Sequence, residues 1–291
     1  MRRWVAVAAG LSLFATDAAA YSSIDFGNLE DGVRLTSRDD GLFAYTEEVQ
    51  AGTVLVGGVP TKRVRTVDGI YIGDESYLTN DALGFRLHRE AYPPPDSDEF
   101  LFTTPAIALP GTFTLGQVFG QNDAAVSYIF PGFGTFPMLY DSSAQVIGIE
   151  TVIVPAGTFT AVRVDNDFTI FGTIDGEFVS TGGPASDWYV RNLGVVKSAG
   201  SVDGEPFVTE LMSHNVALCG DLTQDGVVAA SDVALYRSAL AGAATLTATQ
   251  LGRCTTIAPQ GPCDVRDLAV LRREVFGPLL APGISRACKT P

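Results

Sequence analysis

Histidine and cysteine are scarce in this chain of 291 residues, and their scarcity limits the chemistry available to it. The two histidines are His88 and His214, and all four cysteines lie from Cys219 onward. The sequence has no Gly-x-Ser-x-Gly elbow, zinc-ligand spacing or phosphate-binding glycine loop. A thiol enzyme is therefore excluded before residue 219, and a Ser-His-Asp hydrolase is disfavoured. His88 falls in the alternating run FRLHRE, which predicts a strand with this histidine facing solvent.

Basic residues and long apolar runs are also few. Residues 21–215 contain 10 Lys and Arg against 26 Asp and Glu, a formal charge of −16, whereas residues 216–291 carry +1. An acidic surface repels nucleic acid and anionic lipid, so neither is an expected partner. After residue 20 no apolar run is long enough for a transmembrane helix. The change of charge predicts a body at 21–215 and a tail at 216–291.

The first 20 residues have the pattern of a secretory signal peptide. Two arginines precede an apolar run from Trp4 to Phe14, and three alanines at 18–20 provide a cleavage site. We therefore expect an exported, soluble protein, either extracellular or periplasmic. An even number of cysteines, all in the tail, agrees with an oxidising compartment.

The body has the composition and punctuation of an antiparallel β structure. It is rich in Val, Thr, Phe, Tyr and Gly, and no segment of any length has a helical period. Asp-Gly pairs such as Asp68-Gly69 and Asp175-Gly176 separate alternating runs, as hairpin turns do. The fold class we predict is an all-β body, a curved sheet or open barrel, followed by a small all-α C-terminal domain.

The tail contains an internal repeat with an offset of 35 residues. The first copy, CGDLTQDGVVAASDVALYRSALAG, begins at Cys219, and the second, CTTIAPQGPCDVRDLAVLRREVFG, begins at Cys254. The helix predicted in the first copy places Val233, Tyr236 and Leu240 on one face. The second copy places Leu268, Leu271 and Val275 in the same phase. Two such helices would bury their apolar faces against each other, with Gly242 and Gly277 as C-terminal caps.

The first copy also has the spacing of a calcium-binding loop. Oxygen ligands are expected from Asp221, Thr223, Asp225, Asp232 and the carbonyl group of Val227, with a glycine at the sharp turn. Ca²⁺ prefers such hard oxygen donors. The alternative is an Asx-rich turn before a helix, with Ser231 or Asp232 as the N-cap.

The second copy lacks most of these ligands and retains Asp267. It contains an additional cysteine in the loop, which suggests a Cys254–Cys263 disulfide in place of a metal. Cys219 and Cys288 would then join the two ends of the tail. Four cysteines allow three pairings, and this one is the preferred hypothesis.

The run GDLTQDGVVAASDVALYRSALAG resembles the first half of a dockerin, the two-repeat calcium module of secreted bacterial proteins. The resemblance covers about residues 219–288. It implies a Ca²⁺ cofactor, a cohesin-like or other protein partner, and a connection with polysaccharide-degrading enzymes. The pair Ala230-Ser231 and the vacant second loop depart from the family pattern.

The body resembles a recurrent β-rich domain of bacterial exported proteins and lipoproteins, many without an assigned activity. The resemblance rests on ETVIVPAGTFTAVRV at Glu150–Val164, Trp188-Tyr189 and NLGVVK at Asn192–Lys197. It implies a curved sheet rather than a particular function. Independently of it, Pro155–Thr158 is predicted to be a tight turn between strands.

Candidate functional residues in the body are less specific. Acidic pairs such as Glu47-Glu48 are interpreted as solvated surface, whereas Glu150, Asp187 and Glu210 lie in strands and are better catalytic candidates. The aromatic segment Phe130–Met138 would line the mouth of the sheet and take a glycan ring or acyl chain, or else cover the core as a lid.

Three functions follow from these patterns. The first is an exported calcium-binding protein with a dockerin-like module, linked to polysaccharide binding or catabolism. The second is a polysaccharide hydrolase acting on O-glycosyl bonds, with the body catalytic. The third is an envelope carrier or binder of an apolar ligand, held in the body. Paired carboxylates in an open groove would favour the hydrolase, and a deep closed cavity would favour the carrier.

Overall fold

The computed structural model describes residues 20–94, 97–216, 220–224, 228–254 and 265–276. Strands fill the described part of the body, and three helices lie in the described part of the tail. The strands are β1 Tyr21–Ser22, β2 Arg34–Asp39, β3 Phe43–Val49, β4 Val54–Val56, β5 Val59–Gly69, β6 Glu75–Asp81, β7 Gly84–Ala91, β8 Glu99–Pro110, β9 Thr112–Phe113, β10 Val118–Phe130, β11 Gly134–Val154, β12 Gly157–Ile174, β13 Glu177–Val190, β14 Gly194–Val202 and β15 Glu205–His214. A 3-10 turn spans Ser23–Asp25, and the helices are α1 Ala230–Leu240, α2 Ala248–Cys254 and α3 Val265–Phe276.

Apart from a separate two-stranded sheet of β1 and β9, the strands of the body form one antiparallel sheet of thirteen strands that closes on itself. Its order is β3-β2-β15-β14-β13-β12-β11-β10-β8-β7-β6-β5-β4, and an additional pairing joins β3 to β5, for example Val49 to Val64. The twelve strands other than β1, β4 and β9 therefore form a ring with no free edge at the β3–β5 junction. The all-β antiparallel prediction is confirmed, and the sheet is closed rather than open.

Turn chemistry explains two of the long hairpins. Asp175-Gly176 and Asp203-Gly204 each have positive φ at both residues (51° and 85°, 52° and 85°), which is the type I′ geometry that matches strand twist. Asp68-Gly69 is not a hairpin turn as predicted, because it ends β5. A Cβ atom on Gly69 would lie 2.2 Å from the Ala44 carbonyl oxygen, so the glycine permits the close approach of β3.

The alternating strand directions give the ring two ends, which we call the mouth and the base. The mouth carries the β2–β3, β7–β8, β10–β11, β12–β13 and β14–β15 connections, and the base carries the β11–β12 and β13–β14 connections. At the base, the predicted turn at Pro155-Ala156 folds onto β15, where the Ala156 amide donates to the Leu211 carbonyl oxygen at 3.0 Å. Val154, Phe159 and Leu211 are buried there in one apolar cluster.

The first strand completes the seal at the base. Tyr21 of β1 pairs with Phe113 of β9, and their rings stack with centroids 5.5 Å apart. Phe26 packs on Phe113 at the same distance, and all three rings join a cluster with Val146 and Val162 of the ring. The base is therefore filled with apolar side chains.

The described part of the tail contains the two predicted helices, α1 and α3, and a small core. Leu222, Val233, Tyr236 and Leu271 are buried together as α1 packs on α3. Leu240 is 42% exposed, so the predicted α1 face is shorter than expected. Gly242 caps α1 with φ 72°, and its amide donates to the Ala239 carbonyl oxygen at 3.0 Å. Helix α2 was not predicted. In the described residues, none of the helices has the length and hydrophobicity of a membrane span.

Candidate functional site

The described part of the predicted calcium loop is held by protein donors. The Asp221 carboxylate is 1% exposed and pairs with the Arg253 guanidinium at 2.7 Å. Asp232 is fully buried and accepts hydrogen bonds from the Thr223 amide (2.8 Å), the Thr223 hydroxyl (2.9 Å) and the Ala229 amide (2.8 Å). The N-cap of α1 is thus Ala229, not Ser231 or Asp232 as the alternative supposed.

Other predicted ligands lie outside the described residues, namely Asp225 and Val227. Among the residues that the structure does describe, no three His, Cys, Asp or Glu side chains are grouped to hold a metal ion. The donors to Asp232 and the guanidinium at Asp221 satisfy these two carboxylates within the protein. Calcium binding therefore stays a prediction.

The predicted disulfides also fall outside the described atoms. Cys219, Cys263 and Cys288 lie outside the described ranges, and Cys254 is the last residue of α2 with its side chain not described. Both pairings stay predictions.

The three predicted catalytic candidates are not brought together. On the outer face, Glu150 accepts a hydrogen bond from the Trp188 indole, and Glu210 pairs with the Lys197 ammonium at 3.1 Å. Asp187 instead faces the interior. Burial raises the pKa of its carboxyl group, and the hydrogen bonds from Ser198 and Asn166 offset part of this increase. These positions form no common catalytic pair.

His88 is buried rather than solvent-facing, so its predicted orientation is wrong. It is 2% exposed, and its Nε2 lies 3.0 Å from the Thr79 hydroxyl oxygen. Burial and the Arg86 charge lower its pKa. The β7–β8 register shifts between Leu87 and Arg89, which interrupts the simple alternation assumed from sequence.

The feature that sequence reasoning missed is a chamber inside the ring, near the mouth. Its volume is about 540 Å³, within the range of small-molecule sites. We define the chamber by its lining residues: Glu90, Tyr92, Asp98, Phe100, Tyr128, Phe130, Phe168, Ile170 and Thr181.

Aromatic rings form much of the chamber wall. The Phe100 and Tyr128 centroids are 4.9 Å apart, and Tyr128 and Phe130 stack at 6.2 Å. Phe133, which is 69% exposed in the β10–β11 turn, stacks on Phe130 at 4.5 Å. The aromatic segment Phe130–Met138 therefore contributes to the chamber wall and the mouth, and its tip is not buried as a lid over the core.

Tyrosine hydroxyl groups contact the two carboxylates of the chamber. The Tyr92 hydroxyl donates to Glu90 at 3.2 Å, and the Tyr128 hydroxyl donates to Asp98 at 2.9 Å. Burial raises the pKa of Glu90. The hydrogen bond from Tyr92 lowers this pKa in part, and the negative charge of Asp74 raises it further. The chamber therefore combines apolar rings with two carboxylates, of which Glu90 is made costly to ionise by its burial.

More carboxylates lie along the same interior face. Burial raises the pKa of Glu47 to about 7, with the charges of Asp39, Asp74 and Glu90 adding to the effect. Glu47 is therefore not the solvated surface group that the acidic pair Glu47-Glu48 predicts. Strand alternation could have placed Glu47 in the interior, because Tyr45, Glu47 and Val49 share one face of β3. Val49 on that face is buried, whereas Glu48 on the other face pairs with Arg34 outside the ring.

Comparisons with known proteins give distant structural similarities only. Neither a protein-family model nor a curated protein matches the sequence. The structure is similar to that of a candidate lipoprotein from Parabacteroides distasonis, with 14% identity and a TM-score of 0.41 over 67% of this chain and 99% of that one. A candidate exported protein with a YmcC-like fold from Bacteroides fragilis has 14% identity and a TM-score of 0.33 over 66% and 99%. The hypothetical lipoprotein YmcC from Escherichia coli has 11% identity and a TM-score of 0.35 over 65% and 86%.

Proposed function

We propose that the body is a binder or carrier of a small molecule with an apolar part, held in the chamber. The observation that carries this proposal is a cavity of about 540 Å³ lined by Phe100, Tyr128, Phe130, Phe168 and Ile170 within a closed sheet. Its size and aromatic wall are typical of small-molecule sites. The signal-peptide pattern at residues 1–20 supports a role outside the cytoplasm.

The sealed base favours a small ligand over a polysaccharide chain. An extended polymer needs a groove that it can enter and leave, whereas Phe113, Phe159 and Leu211 fill the base with apolar side chains. The proposed hydrolase would also need two carboxylates across an open cleft. Glu90 and Asp98 instead each accept a hydrogen bond from a tyrosine inside the ring.

Filling the chamber is expected to abolish ligand binding. Thr181 lines the chamber, and a Thr181→Trp substitution would place an indole in the space available to a ligand. Fluorescence of an environment-sensitive apolar dye, such as 8-anilinonaphthalene-1-sulfonate or the neutral Nile red, measures binding to the purified body-containing chain. We expect wild-type protein to bind Nile red and Thr181→Trp to bind at least about tenfold more weakly, a loss of about 1.4 kcal/mol.

Two variants control for effects other than filling. Ser180 is exposed on the opposite face of β13, so Ser180→Trp adds the same bulk outside the chamber. Thr181→Val removes the hydroxyl that donates to Asp203 at 2.9 Å without filling the space. Equal binding by wild type and Thr181→Trp, or no binding by wild type, would contradict the proposal.

For the tail we propose calcium binding at Asp221, Thr223, Asp225, the Val227 carbonyl and Asp232, as the dockerin-like spacing implies. The alternating oxygen side chains of the sequence support this proposal, and Ca²⁺ would have to displace the Arg253 guanidinium that pairs with Asp221. The same resemblance motivates the proposal of a cohesin-like or other protein partner for the tail, and the disulfides Cys254–Cys263 and Cys219–Cys288 belong to this proposal.

Calorimetric titration of the full chain with CaCl₂ tests the metal. We expect binding heat and a melting temperature of the tail that rises with Ca²⁺, since a ligand of the folded state stabilises it. Asp225→Asn should weaken binding, whereas Asp175→Asn changes the net charge equally in a distant hairpin and should not. No heat with wild-type protein, together with a melting curve unaffected by chelator, would refute the proposal.

A further inference from the structure

The charge of the chamber is of one sign. Two of its lining residues, Glu90 and Asp98, are acidic, and none of the described residues that line it is Lys or Arg. The nearby Asp74 charge acts on Glu90, and Asp39, Asp74 and Glu90 act together on Glu47. Like charges at short range in a partly desolvated space repel each other, so the empty chamber is electrostatically unfavourable when these groups are ionised.

The aromatic wall is the second feature of the chamber. The rings of Phe100, Tyr128 and Phe130 pack on one another along it, with centroids 4.9 and 6.2 Å apart, and form an apolar surface beside the carboxylates. The carboxylates thus favour a positive group on a ligand, and the adjacent rings favour an apolar portion next to that group.

We propose that the chamber selects a ligand with an organic ammonium group beside an apolar portion. This inference rests on the proposed function, because it specifies which small molecule the chamber prefers. The ammonium group would lie near Glu90 and Asp98, where it forms charge-assisted hydrogen bonds, and the apolar portion would pack on Phe168 and Ile170.

A bare metal ion fits the chamber less well. Among the side chains that the structure describes, no group of three or more His, Cys, Asp or Glu converges to hold one. The cavity is also much larger than a single ion needs, and apolar groups line much of it. An ammonium ion on an apolar scaffold matches both the volume and the mixed lining.

Three probes of similar shape and different charge test this selectivity on the full chain. They are 4-phenylbutylamine, which is cationic at pH 7.5, 4-phenylbutanol, which is neutral, and 4-phenylbutyrate, which is anionic. Isothermal titration or displacement of Nile red measures each affinity. We expect the amine to bind at least about tenfold more tightly than the alcohol, as one charge-assisted hydrogen bond predicts, and the acid to bind most weakly.

Substitutions assign the selectivity to the chamber. Glu90→Gln is expected to lower the ratio of amine affinity to alcohol affinity from at least about tenfold to about threefold or less. Glu150→Gln makes the same change in net charge on the outer face, where Glu150 contacts Trp188, and should leave the preference intact. Asp98→Asn provides a second chamber variant, with the expected loss in the same direction, if Glu90→Gln is poorly folded.

The outcomes separate the two proposals. Equal affinities for amine and alcohol would overturn the charge selectivity while leaving the chamber as an apolar site. An amine preference unchanged in both Glu90→Gln and Asp98→Asn would also overturn it, because the charge would then act from elsewhere. Failure of all three probes and of Nile red to bind would refute the proposed function itself.

Discussion

Replacing Phe113 by alanine is expected to lower the free energy of unfolding of the body by about 3–5 kcal/mol. Phe113 is 1% exposed, and its ring contacts those of Tyr21 and Phe26 at the base. Its removal leaves a cavity among groups that cannot collapse freely, because Tyr21 and Phe113 lie on paired strands fixed to the ring. Chemical denaturation followed by circular dichroism measures the change.

A second phenylalanine provides the matched control. Phe133 is 69% exposed in the turn at the mouth, so Phe133→Ala should change the stability by no more than about 0.5 kcal/mol. If Phe113→Ala were as stable as Phe133→Ala, the N-terminal segment would not contribute to closing the base.

Replacing Glu47 by glutamine is expected to stabilise the protein at pH 8 by about 2 kcal/mol. The pKa of Glu47 rises from 4.5 to about 7 on folding, chiefly because of burial and then because of the charges of Asp39, Asp74 and Glu90. A shift of this size corresponds to about 3 kcal/mol at most, which hydration of a half-buried group reduces. Glutamine keeps the shape of the side chain and removes the charge.

The pH dependence identifies the cause. Below pH 4.5 Glu47 is protonated in both the folded and unfolded states, so its ionisation costs no stability. As the pH rises from 4.5 through 7 the unfolded state ionises first, and wild-type stability falls relative to Glu47→Gln until the difference is complete above pH 7. The difference between the two proteins should therefore grow with pH.

The outer neighbour of Glu47 is the control for this experiment. Glu48 pairs with Arg34 at 2.7 Å on the outer face, so Glu48→Gln should lower the stability slightly, by about 0–1 kcal/mol. A Glu47→Gln protein that is less stable than wild type at pH 8 would show that this carboxylate is stabilised, contrary to the account of the interior.

Local patterns in the sequence predict the elements of this fold well. Asp175-Gly176 and Pro155-Ala156 form turns because their backbone preferences act within a few residues. The apolar positions Val233, Tyr236 and Leu271 are buried because a helical period identifies one face regardless of what covers it.

Closure of the sheet and the chamber could not be predicted in the same way. The β3–β5 pairing depends on the cumulative twist and register of the intervening strands, which no local pattern records. Two adjacent acidic residues, as at Glu47-Glu48, put a charge on both faces of a strand. The usual alternation of apolar and polar residues then no longer identifies the inward face. A β-bulge reversed the expected environment of His88, because Tyr77 pairs with Arg89 and Leu78 with Leu87, which leaves His88 as the extra residue between them.

A crystal structure of the full chain soaked with 4-phenylbutylamine tests the central claim most directly. We expect electron density for the probe inside the ring, with its nitrogen within hydrogen-bonding distance of the Glu90 or Asp98 carboxylate and its phenyl ring against Phe100 or Phe168. A chamber filled by its own side chains, or probe density confined to the outer surface of the sheet, would contradict it.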